Sequence, residues 1–253
     1  MTRRLVALSV GCLLLSTVFA VAKPIESFWP RKLASCPDFV QLVVAKLKDV
    51  DGHKNPTNRC RPWPDNRGQT HHSNLVIENL RLHHFENNKA IMVNTGSPDK
   101  PRVRGQIASY KSVLLRNLDI GPVFRTQPGL HVDFIWIGPG HDDAFRPNVT
   151  LDTIFIHDGN SGVMPLLFEA GGRWGTLTFR RVAMANVAHP IMIKLGNSSF
   201  KQIIVEDCPG IRIALQGDPL APVTVRVRNS PGADIQCPKD AQGRRATQVT
   251  IIR

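Results

Sequence analysis

The chain has 253 residues, with 32 Lys and Arg against 20 Asp and Glu and a formal net charge of +12. That excess points to anionic partners: acidic polysaccharide, an anionic membrane surface or nucleic acid. No zinc-finger, P-loop or dinucleotide-binding spacing occurs, and beyond its leader no run reaches the roughly 18 apolar residues of a membrane span.

Residues 1–22 read as a secretory signal. Arg3 and Arg4 form its basic start, Leu5 to Phe19 its apolar run, and Ala20, Val21 and Ala22 a small-residue cleavage site before Lys23. Its removal takes away two positive charges and leaves +10. A secreted or periplasmic protein is expected. Export makes nucleic acid the least favoured partner and puts acidic polysaccharide first.

Residues 23–72 are expected to form an N-terminal cap. Ser35-Cys36-Pro37-Asp38 has the form of a capping box opening a helix, with Pro37 where its missing N–H costs little. Phe39, Val43 and Leu47 then recur at helical spacing to about Lys48. Four cysteines follow the leader: Cys36, Cys60, Cys208 and Cys237. Export and an even count suggest two disulfides, for which three connectivities exist. Cys36–Cys60 and Cys208–Cys237 are favoured, because each pair lies within one local region. The first would tie the cap helix to the Pro-rich loop behind it.

From residue 75 a pattern repeats. Leu75 to Leu82 (LVIENLRL) is matched by Val113 to Ile120 (VLLRNLDI), Val149 to Ile156 (VTLDTIFI) and Leu177 to Met184 (LTFRRVAM), with weaker copies at Ile203 and Val223. Alternating apolar and polar residues mark strands, and the two-residue step inside each copy marks a bend. Second strands align as well: Ala90 to Val93, Phe134 to Ile137, Pro165 to Phe168, Pro190 to Ile193 and Gly210 to Ile213. Units of this kind, each too small to bury its own apolar face, describe a solenoid. Residues 73–253 resemble a right-handed parallel β-helix of the pectate-lyase-like superfamily. The resemblance implies an all-β fold of roughly six or seven coils behind the α-helical cap. The last strand, Val249 to Ile252, reaches the chain end without a cap, leaving an edge open to self-association.

Stacking the copies predicts outward columns. One reads Glu78, Arg116, Asp152, Arg180, Glu206, Arg226, alternating in sign at every step. Opposite charges on neighbouring strands attract, so this face is read as structural. On the second strands the middle column reads Met92, Trp136, Leu167, Met192, Arg212: an apolar strip fit to pack a sugar ring. Flanking columns hold Asp133, Met164 and His189 on one side, and Asn94, Gly138, Glu169 and Lys194 on the other. Glu169 and Lys194 should therefore be neighbours.

The segment 129–145, GLHVDFIWIGPGHDDAF, carries the densest chemistry. In this register Leu130, Val132, Ile135 and Ile137 point inward, and His131, Asp133 and Trp136 outward. The His-x-Asp-x-Ile strand resembles an H-x-D-x-I-Q pattern of exported β-helix proteins. Here Phe134 replaces the usual small turn residue, and Trp136 stands where Gln is common. The resemblance and the charge imply β-elimination of a uronate polymer, which needs a base for the C5 proton and a cation to neutralise the carboxylate.

His131, Asp133, His189 and Lys194 are the candidate catalytic residues, and Trp136, Glu169 and Arg212 the candidate substrate contacts. Calcium held by Asp133, Asp142 or Asp143 is an alternative neutraliser, although no calcium-loop spacing occurs. Hydrolysis by two carboxylates fits less well. Asp133 and Glu169 are offset by about five positions, or ~16 Å, beyond either hydrolytic geometry. The remaining pairs, His71-His72 and His83-His84, and His157 at a strand end, are read as structural or solvated. The rival to an enzyme is a non-catalytic glycan-binding or adhesive solenoid.

Overall fold

A computed structural model describes residues 47–51, 74–93, 112–138, 146–169, 171–239 and 248–253. These residues form an all-β structure with sixteen strands and no helix. The first seven are β1 (Lys48–Asp51), β2 (Leu75–His83), β3 (Phe85–Glu86), β4 (Ile91–Val93), β5 (Ser112–Ile120), β6 (Val123–Phe124) and β7 (Val132–Ile137). Next come β8 (Asn148–His157), β9 (Val163–Phe168), β10 (Gly172–Ala185), β11 (Ile191–Lys194) and β12 (Ser198–Glu206). The last four are β13 (Arg212–Gln216), β14 (Val223–Arg228), β15 (Asp234–Gln236) and β16 (Val249–Ile252).

One sheet has eight strands in the order β1-β2-β5-β8-β10-β12-β14-β16; a second has six, in the order β4-β7-β9-β11-β13-β15. The short pair β3-β6 lies between them in sequence. Every strand pair is parallel. The chain alternates between the two large sheets and returns each time to the next place in order. This arrangement is compatible with a parallel β-helix.

The predicted bend, inside β2, β5, β8 and β10 and just past β12 and β14, has a backbone cause. Asn79, Asn117, Thr153, Arg181, Asp207 and Asn229 all have φ between 42° and 60°. Asn and Asp tolerate this left-handed conformation better than other side chains, and they fill four of the six places. They also stack: Asn117 Nδ2 donates to Asn79 Oδ1 at 2.7 Å, and Asn229 Nδ2 to Asp207 Oδ1 at 2.5 Å. One left-handed residue resets the inside–outside alternation, so Ile77 points in before the bend and Leu82 after it.

Aliphatic side chains from both sheets fill the interior, among them Leu115, Leu151, Ile154, Ile193 and Ile203. An aromatic group closes one part of it. Phe168 lies 4.4 Å from Trp174 and 5.5 Å from Phe200 between ring centroids, and Trp174 stacks on Phe200 at 6.1 Å. The Trp174 indole N–H is satisfied by the carbonyl of Gly171 at 3.2 Å, as a buried indole requires.

Three expectations are corrected. The charged column runs Glu78, Arg116, Asp152, Arg180, Glu206, Arg228. Arg226 instead lies opposite Ile204 and Ile252. A slip of two residues keeps every side chain on its own face, so alternation alone cannot detect it. Leu47 and Lys48 are not helical: Lys48–Asp51 is a strand paired with Leu80–His83, inside the segment read as the cap. The rest of the expected helix, Cys36, Cys60 and the leader lie outside the described residues.

The third correction concerns Cys208 and Cys237, which are free thiols. Cys208 is buried, and its neighbour on the next strand is Ser230, whose Oγ accepts the Cys208 N–H at 3.0 Å. Cys237 lies seven residues further on, beyond the pairing of Arg212–Ala214 with Asp234–Gln236. Nearness in sequence does not put the two thiols at one level. Burial pushes the Cys208 thiol up to about 12.

Candidate functional site

The site is built on β7, which lies between β4 and β9, with Met92 opposite Trp136 and Trp136 opposite Leu167. The strand does not alternate as expected. Asp133 is 0% exposed, Phe134 and Ile135 are both buried, and Leu130, expected inside, is 38% exposed. Pro165 is the residue that falls opposite Phe134, where the Asp133↔Met164 and Ile135↔Leu166 pairing skips a step. It has no N–H to give the ladder. The Phe134 ring packs over Gly159, where a Cβ would stand 2.7 Å from ring atom Cε2. Phe134 enters the core across that glycine and takes Asp133 below the surface.

Asp133 Oδ2 lies 3.1 Å from Nδ1 of His131 and 3.7 Å from Nζ of Lys89. Neither Asp133 oxygen has a well-aligned hydrogen bond among the described residues. Burial pushes its carboxyl up to about 6, although the charges of His131 and Lys89 oppose the shift. His131 is half-exposed. With Nδ1 turned to Asp133, Nε2 is its other proton-accepting position. The carboxyl therefore stands within ion-pair distance of the ring without an aligned hydrogen bond to it.

Lys89 is the residue sequence reasoning missed. Its Nζ donates to the His131 carbonyl at 3.2 Å and lies 6.0 Å from the centre of the Trp136 ring. The signal was present. Ile91 pairs with Ile135, so counting back two residues puts Lys89 in the column of Asp133.

On the other side of Trp136, its indole N–H donates to Glu169 Oε2 at 3.4 Å, and Lys194 Nζ donates to Glu169 Oε1 at 2.6 Å. Partial burial would raise the Glu169 carboxyl, but the hydrogen bond and charge of Lys194 hold it below the ordinary range. The expected Glu169–Lys194 neighbourhood is present. His131, Asp133, Trp136, Glu169 and Lys194 therefore share one locality.

Two candidate residues stand apart from it. His189 precedes β11, two strands from β7, and its Nε2 meets the Ser161 carbonyl at 2.7 Å. Arg212 is not in the apolar column: Met192 faces Ala214, and Arg212 faces Asp234. Its guanidinium donates to the carbonyl of Val187 at 2.7 Å and to that of Ala188 at 3.3 Å, tying down the turn before β11. The strip is less open than expected, because Leu167 is buried and Met92, Trp136 and Met192 are half-buried.

Among the described residues, no three His, Cys, Asp or Glu side chains are grouped to hold a metal ion. Asp133 is sealed beneath the surface, and Asn94, His141, Asp142 and Asp143 lie outside the described residues. No helix of the described residues is long and apolar enough to cross a membrane. The chain matches no protein-family model, no curated protein and no solved structure.

Proposed function

We propose that this is an exported right-handed parallel β-helix, akin to the pectate-lyase-like proteins, which acts on acidic polysaccharide by β-elimination at the β7 surface. The observation that carries the reading is the half-exposed imidazole of His131 backed by the buried carboxyl of Asp133. In this reading Nε2 of His131 takes the C5 proton of a uronate. The electron pair of that C–H bond becomes the C4–C5 double bond, the C4–O bond breaks, and the departing oxygen takes a proton. Asp133 does not touch the sugar; its nearby charge stabilises the imidazolium that forms. Trp136 and the Lys194–Glu169 pair flank the sugar. The net charge of +10 left after removal of the leader draws anionic chains to the protein, an attraction that added salt weakens.

One observation favours a second reading, a glycan-binding or adhesive module. Lys194 and Arg212, the cations among the candidate site residues, are engaged by Glu169 and by turn carbonyls. The deciding experiment follows ultraviolet absorbance of unsaturated uronate products on polygalacturonate, alginate and glycosaminoglycans, with and without calcium. A rise on one polymer supports elimination and names the sugar. Flat traces with salt-sensitive retention on the same polymers favour the binding module. The β16 edge, last in its sheet among the described residues and with Ile252 41% exposed, is the surface we assign to self-association.

A further inference from the structure

His157 lies on the far side of the turn that supports β7. It is 6% exposed, and both ring nitrogens face carboxylates: Nε2 is 2.9 Å from Asp119 Oδ1, and Nδ1 is 2.8 Å from Asp158 Oδ2. Ionised carboxylates only accept hydrogen bonds, so this pairing favours a ring with protons on both nitrogens. Arg81 Nε donates to the other oxygen of Asp119 at 2.9 Å, and Asn186 Nδ2 to the other oxygen of Asp158 at 2.8 Å. While His157 holds both protons, it and Arg81 are two cations facing the two carboxylates. Phe155 stacks on the ring at 4.7 Å. Gly121 faces it from β5's end, where a Cβ would meet the His157 carbonyl at 2.0 Å. Among the described residues, the register puts His83 beyond Gly121.

The turn this group anchors reaches the candidate site. Asp158 has φ 57° and passes its N–H to the Ala185 carbonyl at 3.1 Å. Gly159 seats the Phe134 ring, next to Asp133. Ser161 receives His189. Loss of one proton would leave the buried carboxylate of Asp119 and the partly exposed one of Asp158 against a neutral ring at the root of that turn.

We propose that Asp119, His157 and Asp158 form a proton-held clamp that fixes the turn 158–162 and, through Gly159 and Phe134, the depth of Asp133, so that the β7 site loosens as pH rises. Only the link to the β7 site rests on the functional reading above; the clamp itself does not. Burial would lower the ring's affinity for its proton, but the two carboxylates outweigh it and raise it above the ordinary histidine value. The clamp's stabilisation is therefore complete below about pH 6.5 and is lost as pH rises through the folded-state value.

The test is ring-nitrogen NMR of full-length protein labelled with 15N-histidine, with backbone amides followed over the same pH series. The clamp predicts both His157 nitrogens at imidazolium positions at neutral pH, and amides of Gly159 and Phe134 that shift with the His157 midpoint on alkaline titration. A neutral ring at pH 7 overturns the clamp, and a Phe134 amide that ignores the His157 midpoint overturns the link to the site. Thermal melts add a second measure: the melting temperature of wild type should fall relative to that of His157→Gln between pH 6 and pH 9. Parallel curves also overturn the proposal. If the variant does not fold, the wild-type NMR decides alone. A flat elimination assay with an intact clamp would defeat the functional reading only.

Discussion

Lys194 Nζ stands 2.6 Å from Glu169 Oε1 while the other oxygen of Glu169 takes the indole N–H of Trp136. Adjacent strands of one sheet thus set the pose of the aromatic side chain. The pair is about one-third exposed, so its own worth is at most about 1 kcal/mol. Its effect should fall on the indole instead. Lys194→Met should leave thermal stability within about 1 kcal/mol of wild type. It should change the fluorescence contribution of Trp136, read as the difference from Trp136→Phe. Because the Glu169 carboxyl is depressed, the pair's support is present above the ordinary carboxylate range and is lost as pH falls through the folded-state value. An indole signal that does not respond to either change contradicts this linkage.

Asp133 makes the opposite prediction. Its carboxyl is raised to about 6, so the folded protein holds a proton that the unfolded chain has released. Stability therefore falls as pH rises from about 4 through 6 and stays reduced above that. Asp133→Asn should be more stable than wild type at pH 7 to 8, by on the order of 2 kcal/mol, with the gain vanishing below about pH 4. Paired denaturant unfolding at the two pH values checks it. A variant less stable at both would mean that the carboxylate is better solvated than its burial implies.

The aromatic group at Phe168, Trp174 and Phe200 is a packing element. Trp174→Ala should cost about 3–5 kcal/mol in denaturant unfolding, because the surrounding strands cannot close the gap. A loss under about 1 kcal/mol would show that the cluster relaxes freely.

The two described cysteines should differ in reactivity. Cys237 is half-buried and should react with a thiol reagent in the native protein, whereas Cys208 should react only on unfolding. Peptide mapping under non-reducing conditions should find no Cys208–Cys237 bridge. Finding that bridge would contradict the placement of β13 and β15.

Much of the architecture was readable from the sequence because its causes are local. Asn79 and Asn117 mark the left-handed bend, and the inside–outside alternation around them gave the pairing of Glu78 with Arg116 and of Trp136 with Leu167. The register of later strands was not readable. Arg226 and Arg212 were each placed two residues from their true columns, and such a slip changes neither face nor pattern. The burial of Asp133 depends on Gly159, a residue distant in sequence whose missing side chain makes room for Phe134. His157 looked like a strand-end residue, because nothing local reveals that Asp119 will stand against its ring.

The most direct test of the central claim is the initial rate of unsaturated uronate formation by His131→Ala against wild type, on whichever polymer wild type cleaves. Loss of the general base predicts a fall of roughly 10²–10⁴-fold without loss of the folded structure. A wild-type rate in the variant would contradict the assignment of His131, and a wild type inactive on every uronate polymer would contradict elimination itself.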